Sequence, residues 1–560
     1  MKRLPNGVSN YEELIMDNYY YVDKTEYIEK LENYSNKKIM FLRPRKFGKS
    51  LFTSTLENYY DIKTLDKFEA LFGETYIGKN PTKLKNSYYI LKFNFSGIDT
   101  SSTETTIKAF KNEIASSIEF FTKKYSLDFY VNMEDDAEII LNNLFIAFNL
   151  QKQSEKIYVI IDEYDHFANE LLGFNFEGFK SLVSTNGKVR KWYEILKKGS
   201  ESVVDRIFIT GVAPITLDGL TSGFNVAADI TRDSSFNEMM GFTKEELYEL
   251  MKVQNMSDET IEELLPIMKV NYDGYKFSMR AEKKVYNSNM SLYFLNEYIM
   301  HGRLPDKMID VNIASDYEKL GRMLNLCKGE KRLQILEDTV SDKGILSEVI
   351  SKFNPALGFC DKEMISMLYY LGYLTVEQEE FGSEKLVIPN RVMREIYSDY
   401  FLKLINDEVG LESGVNYSEL LRDVAKDGSI DKIVELVKMY LSNLSNRDYI
   451  KFDEKYVKLL FYTIAMNFRL AYDVKSEMEI QRKYPDILLV PRDFSKEYYS
   501  VMVEFKYLKK DDAGKLEEMK EEAKKQILEY SNFDEMKRLK KLRKYTVVAI
   551  VDEVYVDEIV

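Results

Sequence analysis

FLRPRKFGKSLFTS, residues 41–54, decides the fold of the first half of this chain. The stretch nearly meets the phosphate-binding loop pattern G-x-x-x-x-G-K-[ST]. Gly48, Lys49 and Ser50 fit the pattern, whereas Arg43 stands where its first glycine belongs. The dipeptide Gly-Lys occurs four times in the chain, and only this copy is followed by Ser or Thr. The surrounding sequence therefore has to decide whether the loop binds phosphate.

An apolar run, KKIMFL, precedes the loop, and a helical pattern, SLFTSTLENYY, follows it. Phosphate binding needs this order, because a helix N-terminus directs backbone N–H groups and a positive dipole end at the phosphates. Lys49 would then reach the terminal phosphates of ATP, Ser50 would give its hydroxyl to Mg²⁺, and Gly48 would allow close backbone approach. An ordinary strand-to-helix turn is the alternative. The expected nucleotide-binding residues of the loop are Arg45, Lys46, Phe47, Gly48, Lys49, Ser50 and Leu51.

A second apolar stretch, EKIYVIIDEYDHF at 155–167, ends in Asp162 and Glu163. In a buried parallel strand these acids would lie at the carboxyl end, where ligands bind. Asp162 is expected to help hold Mg²⁺, and Glu163 to act as the general base toward water. A strand that merely ends in surface acids is the alternative.

Two further apolar stretches, 88–95 and 205–214, fit the same sheet, and Thr210 in the second could sense the terminal phosphate. Because helical patterns alternate with these strands, residues 1–240 are predicted to form a doubly wound α/β domain with a parallel sheet. The sequence does not place an arginine finger. The candidates by position are Arg190, Arg206 and Arg232.

The composition limits the metal sites that the chain can form and indicates the cellular compartment in which it is expected. The chain of 560 residues has only two histidines, so metal chemistry must rest on carboxylates, which select Mg²⁺ or Mn²⁺. Cys327 and Cys360 show no metal or redox spacing, which fits a reducing cytosol. The net charge of −14 argues against non-specific coating of nucleic acid. No stretch approaches the roughly 20 apolar residues of a membrane span, so a cytoplasmic protein without a membrane partner is expected.

The middle of the chain, 241–445, shows mostly helical periodicity. Within it, 361–390 has the pattern of a winged helix: an apolar helix, a turn at Gly372, and two strands joined around Gly382. The helix is apolar rather than basic, which favours an interdomain lever over DNA binding. The aromatic stretch YDGYKF, 272–277, is predicted to be a packed turn.

The last segment, 446–560, is predicted to order its elements α, β, β, β, α, β. Asp486 follows Pro485, and the strand VMVEFKY places Glu504 and Lys506 on one face. Two charges on an apolar strand are costly unless they are paired or bind a metal. Asp486 and Glu504 would hold Mg²⁺ or Mn²⁺, and Lys506 would orient the attacking water. A buried Glu504–Lys506 salt bridge is the alternative.

Further residues could complete this site. Glu477 is a candidate additional metal ligand, and Gln526 and Tyr530 share a face of the following helix. The basic run KRLKKLRK, 537–544, is by default a solvated surface. A track for backbone phosphates is the alternative.

The assembled motifs resemble the bacterial AAA-ATPase-like proteins that carry a C-terminal nuclease-like domain of the PD-(D/E)XK superfamily. In chain order the resemblance rests on YYVDKTEYI, FLRPRKFGKSL, VIIDEYD, ITGVAPI, GFTKEEL, YDGYKF and PD…EFK…QILEY. It implies an AAA-like ATPase domain, with Arg-Pro-Arg as the family's own loop opening, and a nuclease domain. One departure stands out: Lys483-Tyr484-Pro485-Asp486 replaces the family's usual Gly-Arg-x-Asp. The resemblance also implies a link to mobile elements or defence.

The sequence is therefore consistent with three alternative functions. The first is an ATP-binding and ATP-hydrolysing switch that controls a metal-dependent nuclease. The second is a nucleotide-gated binding protein whose nuclease-like domain is inactive, and the third is an active nuclease on a core that binds ATP with little hydrolysis. The expected partners are ATP and nucleic acid, with DNA or RNA not decided and a homo-oligomer left open.

Overall fold

The chain folds into two units in the computed structural model. The N-terminal unit comprises Met1–Cys327 and Leu346–Arg391, and the C-terminal unit comprises Lys328–Ile345 and Val392–Val560. The division into 1–240, 241–445 and 446–560 made from the sequence stays a prediction. The structure describes residues 2–174, 187–214, 227–310, 320–321, 324, 335–336, 339, 344–351, 353, 361–380, 382–409, 415–444, 454–476, 485–493 and 495–560.

A parallel sheet forms the centre of the N-terminal unit, with the strand order β2-β3-β4-β1-β5. All four neighbouring pairs are parallel, as predicted. Burial on both faces explains why the strands are continuous apolar runs, since helices cover such sheets on both sides. The carboxyl ends of the strands share one edge, and there the phosphate loop follows β1. The strands are β1 Lys38–Leu42, β2 Tyr88–Asn94, β3 Lys156–Asp162, β4 Val204–Gly211 and β5 Ala228–Asp229.

Helices surround this sheet and continue into the middle of the chain. Across the residues that the structure describes, no helix combines the length and apolar character needed to cross a bilayer. The helices are α1 Tyr11–Met16, α2 Glu26–Glu32, α3 Lys49–Tyr60, α4 Phe68–Phe72, α5 Tyr76–Lys79, α6 Thr103–Tyr125, α7 Ala137–Leu150, α8 His166–Phe174, α9 Lys188–Gly199, α10 Lys244–Val253, α11 Asp258–Tyr272, α12 Ser288–His301 and α13 Asp361–Tyr370.

The segment predicted as a winged helix has the expected elements. After α13 and a turn at Gly372, β7 Thr375–Glu380 and β8 Ser383–Val387 form an antiparallel hairpin. A third strand, β6 Ile345–Ser347, completes a small sheet in the order β6-β8-β7. The helix buries every residue from Met364 to Tyr370. A helix buried in this way leaves little surface to enter a DNA groove.

The C-terminal unit is built on a second five-stranded sheet, ordered β13-β12-β11-β10-β9. The strand β11 is antiparallel to β10 and parallel to β12. The predicted order of elements lacked the last strand, which returns antiparallel to β12 as a hairpin. The strands are β9 Tyr472–Ser476, β10 Ile487–Pro491, β11 Ser500–Leu508, β12 Leu542–Ile550 and β13 Glu553–Glu558.

The helix Leu516–Ser531 packs on this sheet through an apolar stripe. Ile527 and Tyr530 join Leu488 and Met502 of the sheet in one hydrophobic cluster. The charged residues of the same helix face outward, which explains the charged pattern seen in its sequence. The helices from Arg391 onward are α14 Arg391–Val409, α15 Tyr417–Asp427, α16 Asp431–Leu444, α17 Glu454–Ala465, α18 Leu516–Ser531 and α19 Asp534–Lys537.

Candidate functional site

The phosphate loop joins β1 to α3, and its last residue is held in a conformation that favours glycine. Gly48 has φ 97° and forms the N-cap of α3. A Cβ there would meet nothing within 4 Å, so the backbone angle and not crowding requires glycine. Phe47 is buried and packs edge-on against Tyr275 and Phe277, with ring centroids 4.9 and 5.5 Å apart. Its side chain therefore anchors the loop, and only its backbone is left to serve a nucleotide.

Lys49 is the first residue of α3 and is 4% exposed. Its Nζ donates to the carbonyl oxygens of Arg43 and Pro44, each at 3.1 Å, and lies 3.6 Å from Oε1 of Glu163. The loop thus curls around its own lysine. A phosphate entering the loop would take over these interactions, because a charged oxygen is a stronger acceptor than a carbonyl.

Arg43, the departure from the usual loop pattern, turns its side chain into the protein. Its guanidinium donates to the carbonyls of Leu42, Thr231 and Phe236 at 2.8–2.9 Å. It also lies over the ring of Phe41, 4.0 Å from the centroid, and burial lowers its pKa to about 9. The arginine therefore braces the loop from beneath, a role that glycine cannot fill.

Pro44 packs against the turn that follows α13. A Cβ on Gly372 would lie 2.8 Å from Pro44 Cβ, and Gly372 has φ 83°. The YDGYKF turn, predicted to be packed, lies against α13. The hydroxyl of Tyr369 donates to the carbonyl of Phe277 at 2.8 Å. The winged segment thus touches the phosphate loop directly.

Replacing Gly372 by alanine should destabilise the N-terminal unit more than replacing Gly382 by alanine. Both glycines have left-handed backbone angles, but a Cβ on Gly382 meets nothing within 4 Å. Each change costs about 1–2 kcal/mol for the backbone angle, and overpacking against Pro44 adds about 1–3 kcal/mol at Gly372. Urea unfolding of both variants measures the difference. Equal losses would contradict the packing account.

Asp162 and Ser50 meet at the edge of the sheet. Asp162 is buried, and burial, followed by the charge of Glu163, raises its pKa. The Ser50 side chain hydrogen-bonds to Asp162 and acts in the opposite direction. A carboxylate and a hydroxyl in contact at this place fit Mg²⁺ bound with a nucleotide, because hard cations prefer oxygen ligands.

Glu163 follows in the left-handed region at φ 52°, and its N–H donates to Oδ1 of Asp162 at 3.0 Å. Burial raises the pKa of Glu163, but the charges of Lys49 and Arg45 outweigh it and hold the pKa below its ordinary value. An ionised carboxylate can accept a proton from water. Strained backbone at such a residue is a common feature of functional sites.

Thr210 lies at the end of β4, opposite Phe41 of β1. It is fully buried, and its Oγ1 has no hydrogen-bond partner among the described residues. Sequence reasoning overlooked Asp165, which accepts the N–H groups of Val212 and Ala213 at 2.7–3.1 Å and so fixes the chain after Thr210. Its position directly before α8 gave no separate signal, because acidic residues are common at the start of helices.

A cavity of about 480 Å³ opens at the loop. This volume is within the range of small-ligand sites. The loop, with Glu163 and Asn94, gives it a polar lining suited to phosphates. An apolar lining suited to a base was missed from the sequence, because its residues come from segments far apart in the chain. The apolar residues that line the cavity include Val8, Tyr20, Met240, Phe242 and Leu292.

The three arginines considered as fingers do not line this cavity. Arg206 is buried near the start of β4, at the strand end away from Thr210, and donates to the carbonyl of Glu32 at 3.4 Å. Arg232 pairs with Glu384 of β8. Arg190 contacts Glu194, one turn along its own helix, at 3.2 Å.

In the C-terminal unit, Asp486 and Glu504 lie side by side on neighbouring strands. The antiparallel register pairs Ile487 with Val503, so its extension by one residue sets Asp486 opposite Glu504. Oδ2 of Asp486 accepts the N–H of Phe505 at 2.7 Å. Oε1 of Glu504 lies 3.4 Å from Lys506 Nζ. The structure therefore brings the three predicted residues together.

Glu504 is 3% exposed, and its Oε2 has no hydrogen-bond partner among the described residues. Burial, then the charge of Asp486, raises its pKa to about 8. Such crowding of carboxylates is costly without a cation. An orphaned oxygen beside a second carboxylate fits a divalent metal ion. The Lys506 pair satisfies only one of the two Glu504 oxygens, and the salt-bridge alternative stays a prediction.

Three further residues were predicted for this site, Tyr530, Gln526 and Glu477, and the structure describes the first two. Tyr530 is 9% exposed, and burial together with the charges of Glu504 and Asp486 raises its pKa to about 12. Gln526, one turn earlier, has an Oε1 without a partner within the described residues. Glu477 lies outside the described residues. The described part of the chain contains no group of three or more metal-ligating side chains.

The helix α17 adds two residues that sequence reasoning missed. Lys458 Nζ lies 3.2 Å from Oδ1 of Asp486, with both side chains largely buried. Burial raises the pKa of Glu454, one turn earlier, and Lys506 and Asp486 also act on it. The sequence did not single them out, because Glu454, Lys455 and Lys458 resemble the charged face of an ordinary solvated helix.

The basic run at 537–544 makes surface ion pairs. Lys541 Nζ lies 3.0 Å from Glu497, and Arg543 pairs with Glu558. Both cations also lie over the ring of Tyr499. For this basic run, a solvated surface and a track for backbone phosphates both stay predictions.

Stability should depend on pH through Glu504 in the absence of divalent metal. A carboxyl whose pKa is raised by folding stabilises the fold fully below its unfolded pKa of about 4.5. That contribution is lost as the pH rises through about 8. The thermal midpoint of the wild-type domain should therefore fall more steeply between pH 5 and 8 than that of Glu504→Gln. Mg²⁺ should reverse the fall in the wild type alone, and parallel curves would contradict this.

Two family models match the chain in these places. Residues 5–221 match the model described as predicted AAA-ATPase, and residues 452–558 match the PD-(D/E)XK nuclease superfamily. The chain carries one domain of each family. The AAA-ATPase-like domain holds the phosphate loop, Asp162 and Glu163, and the PD-(D/E)XK domain holds Asp486, Glu504 and Lys506.

Comparison with individual proteins adds little. An uncharacterised protein in the vnfD 5′ region of Azotobacter chroococcum mcd 1 is 26% identical over 249 residues, which is 43% of this chain and 43% of the relative. The chain thus matches less than half of that relative's length. A solved structure of Drosophila ORC bound to GC-rich DNA and Cdc6 covers 82% of this chain and 76% of its own, with 12% identity and a TM-score of 0.21. A score this low supports no argument.

Proposed function

We propose that this protein is an ATP-dependent switch that controls a metal-dependent nuclease. The observation that carries the nuclease is the pair of carboxylates on β10 and β11, with Oε2 of Glu504 buried and orphaned beside Asp486. The observation that supports the switch is the cavity lined by Lys49, Ser50 and Glu163. Cleavage of labelled DNA and RNA by the full chain, in Mg²⁺, in Mn²⁺ and in EDTA, tests the proposal.

At the nucleotide site, each residue has a role that its surroundings support. Lys49 would bind the terminal phosphates, and Ser50 with Asp162 would hold Mg²⁺, which would supply charge neutralisation on the phosphates. Glu163, ionised by its cationic neighbours, accepts the proton of the attacking water. The unpartnered hydroxyl of Thr210 would bond to the terminal phosphate.

At the nuclease site, Asp486 and Glu504 would hold Mg²⁺ or Mn²⁺, which supplies Lewis-acid activation of the scissile phosphate and of water. Lys506 is held 3.4 Å from Glu504, where it can orient water and offset the charge that builds on the phosphate. Tyr530, whose pKa responds to the charges of Glu504 and Asp486, borders the same place and can contact the substrate.

A nucleotide-gated binding protein with an inactive nuclease domain is the second candidate. The observation that favours it is the close contact of Lys458 with Asp486, since a lysine can neutralise a carboxylate that a metal would otherwise need. Its signature is nucleic-acid binding without turnover in any metal. We place either protein in the cytoplasm, with nucleic acid as partner and a homo-oligomer open.

A further inference from the structure

Arg45 is the arginine that reaches the nucleotide cavity from within the loop itself. It lines the cavity together with Lys49, Glu163 and His166. The guanidinium of Arg45 and the carboxylate of Glu163, the proposed general base, therefore belong to one cavity. The attacking water and the terminal phosphate must meet beside that base. Arg45 is thus placed where negative charge grows during hydrolysis.

A chain of side chains orients this guanidinium. Nη2 of Arg45 lies 3.4 Å from Nδ1 of His166, the first residue of α8. An arginine only donates, so Nδ1 must be the acceptor and Nε2 carries the ring proton. Nε2 faces Oε1 of Glu170 at 3.4 Å, and the Thr100 hydroxyl donates to Oε2 of Glu170 at 2.9 Å. Such outer contacts fix the tautomer and direction of the histidine ring, and through it the arginine.

We propose that Arg45 is an arginine finger acting in cis. Its guanidinium binds the terminal phosphate of ATP, and His166 and Glu170 are positioning residues that aim it. This inference rests on the proposed ATPase function and deepens it. It implies that one chain holds the complete hydrolytic site and needs no arginine from a second copy.

The reaction is ordinary hydrolysis. The water oxygen bonds to the γ-phosphorus as its proton passes to Glu163. The bond from the γ-phosphorus to the β–γ bridging oxygen breaks, and its electron pair leaves with ADP. Negative charge spreads over the γ-phosphoryl oxygens and the bridging oxygen, and the Arg45 guanidinium offsets it.

Arg45→Ala in the full chain tests the proposal, with Arg190→Ala as the matched control. ATP and ADP affinities are measured by titration, and steady-state hydrolysis is measured over a wide range of protein concentration. Arg45→Ala should lower kcat by about 10³-fold, within the span reported for arginine fingers, while ADP affinity changes little. The wild-type rate per chain should not depend on protein concentration, and the control should match the wild type.

Mixing variants separates cis from trans action. Equal amounts of the Arg45→Ala and Lys49→Ala chains should stay inactive, because neither holds a complete site. Recovery of hydrolysis in the mixture would overturn the cis assignment, and an unchanged kcat for Arg45→Ala would overturn the role of Arg45 itself. If the wild type binds ATP without hydrolysing it, the ATP and ADP affinities test the proposal instead. Arg45→Ala must then abolish any preference for ATP over ADP. A wild type that binds no nucleotide would instead refute the proposed function.

The positioning role of His166 has its own readout. His166→Asn keeps an acceptor near the Nδ1 position, whereas His166→Ala removes it. The alanine variant should lose about tenfold in kcat, equivalent to one neutral hydrogen bond of about 1–1.5 kcal/mol, and the asparagine variant should recover most of the loss. Equal losses in both would overturn the positioning role.

Discussion

Glu504→Gln should abolish metal-dependent cleavage while ATP binding and the fold are retained. Glutamine keeps the shape of the side chain but removes the carboxylate that would bind the metal ion beside Asp486. A metal ion contributes several kcal/mol to phosphodiester cleavage, so the loss should be on the order of 10³-fold. The measurement is the initial rate of cleavage at saturating Mg²⁺ or Mn²⁺.

The control for this substitution comes from the same domain. Glu518 also belongs to a Glu-x-Lys sequence but is exposed on α18. Glu518→Gln should cleave like the wild type. Manganese binding, measured by calorimetry, should fall in Glu504→Gln and stay unchanged in Glu518→Gln. A Glu504→Gln protein that cleaves at the wild-type rate would show that the carboxylate pair is structural.

Lys49→Ala should weaken ATP binding by on the order of 10²-fold, since hydrogen bonds to charged groups contribute about 1.5–3 kcal/mol each. Lys49 Nζ is already held inside the loop by the carbonyls of Arg43 and Pro44. Little reorganisation is therefore needed when phosphate enters, and the full interaction is lost on truncation. Titration with ATP measures the change.

Lys79→Ala is the matched control for Lys49→Ala. Lys79 also follows a glycine but is exposed at the end of α5. The control should bind ATP like the wild type. Equal ATP affinity in the two variants would contradict a phosphate-binding role for the loop.

The central strands were predictable because parallel strands buried on both faces leave continuous apolar runs. The same physics made Glu504 and Lys506 stand out, since charges on a buried strand need a partner or a metal. The winged segment followed from the turns expected at Gly372 and Gly382, and both glycines have left-handed backbone angles in the structure. Local chemistry of this kind is written in a short stretch of sequence.

Other parts of the site depend on contacts between distant segments. Arg43 looked like a defect, because nothing near it in sequence reveals the carbonyls of Thr231 and Phe236 that hold it. Lys458 lay hidden in an apolar helix until the fold set it beside Asp486. The strand β13 was missed because its alternating charges resemble a surface loop. Each of these features requires the tertiary fold.

The most direct test of the account is the rate of nucleic-acid cleavage by the full chain with and without ATP. Labelled single- and double-stranded DNA and RNA are incubated with Mg²⁺ or Mn²⁺, beside the Lys49→Ala and Glu504→Gln chains. The account predicts cleavage that requires metal, is lost in Glu504→Gln, and responds to ATP in the wild type but not in Lys49→Ala. Cleavage that ignores ATP in all chains, or no cleavage of any substrate, would contradict an ATP-controlled nuclease.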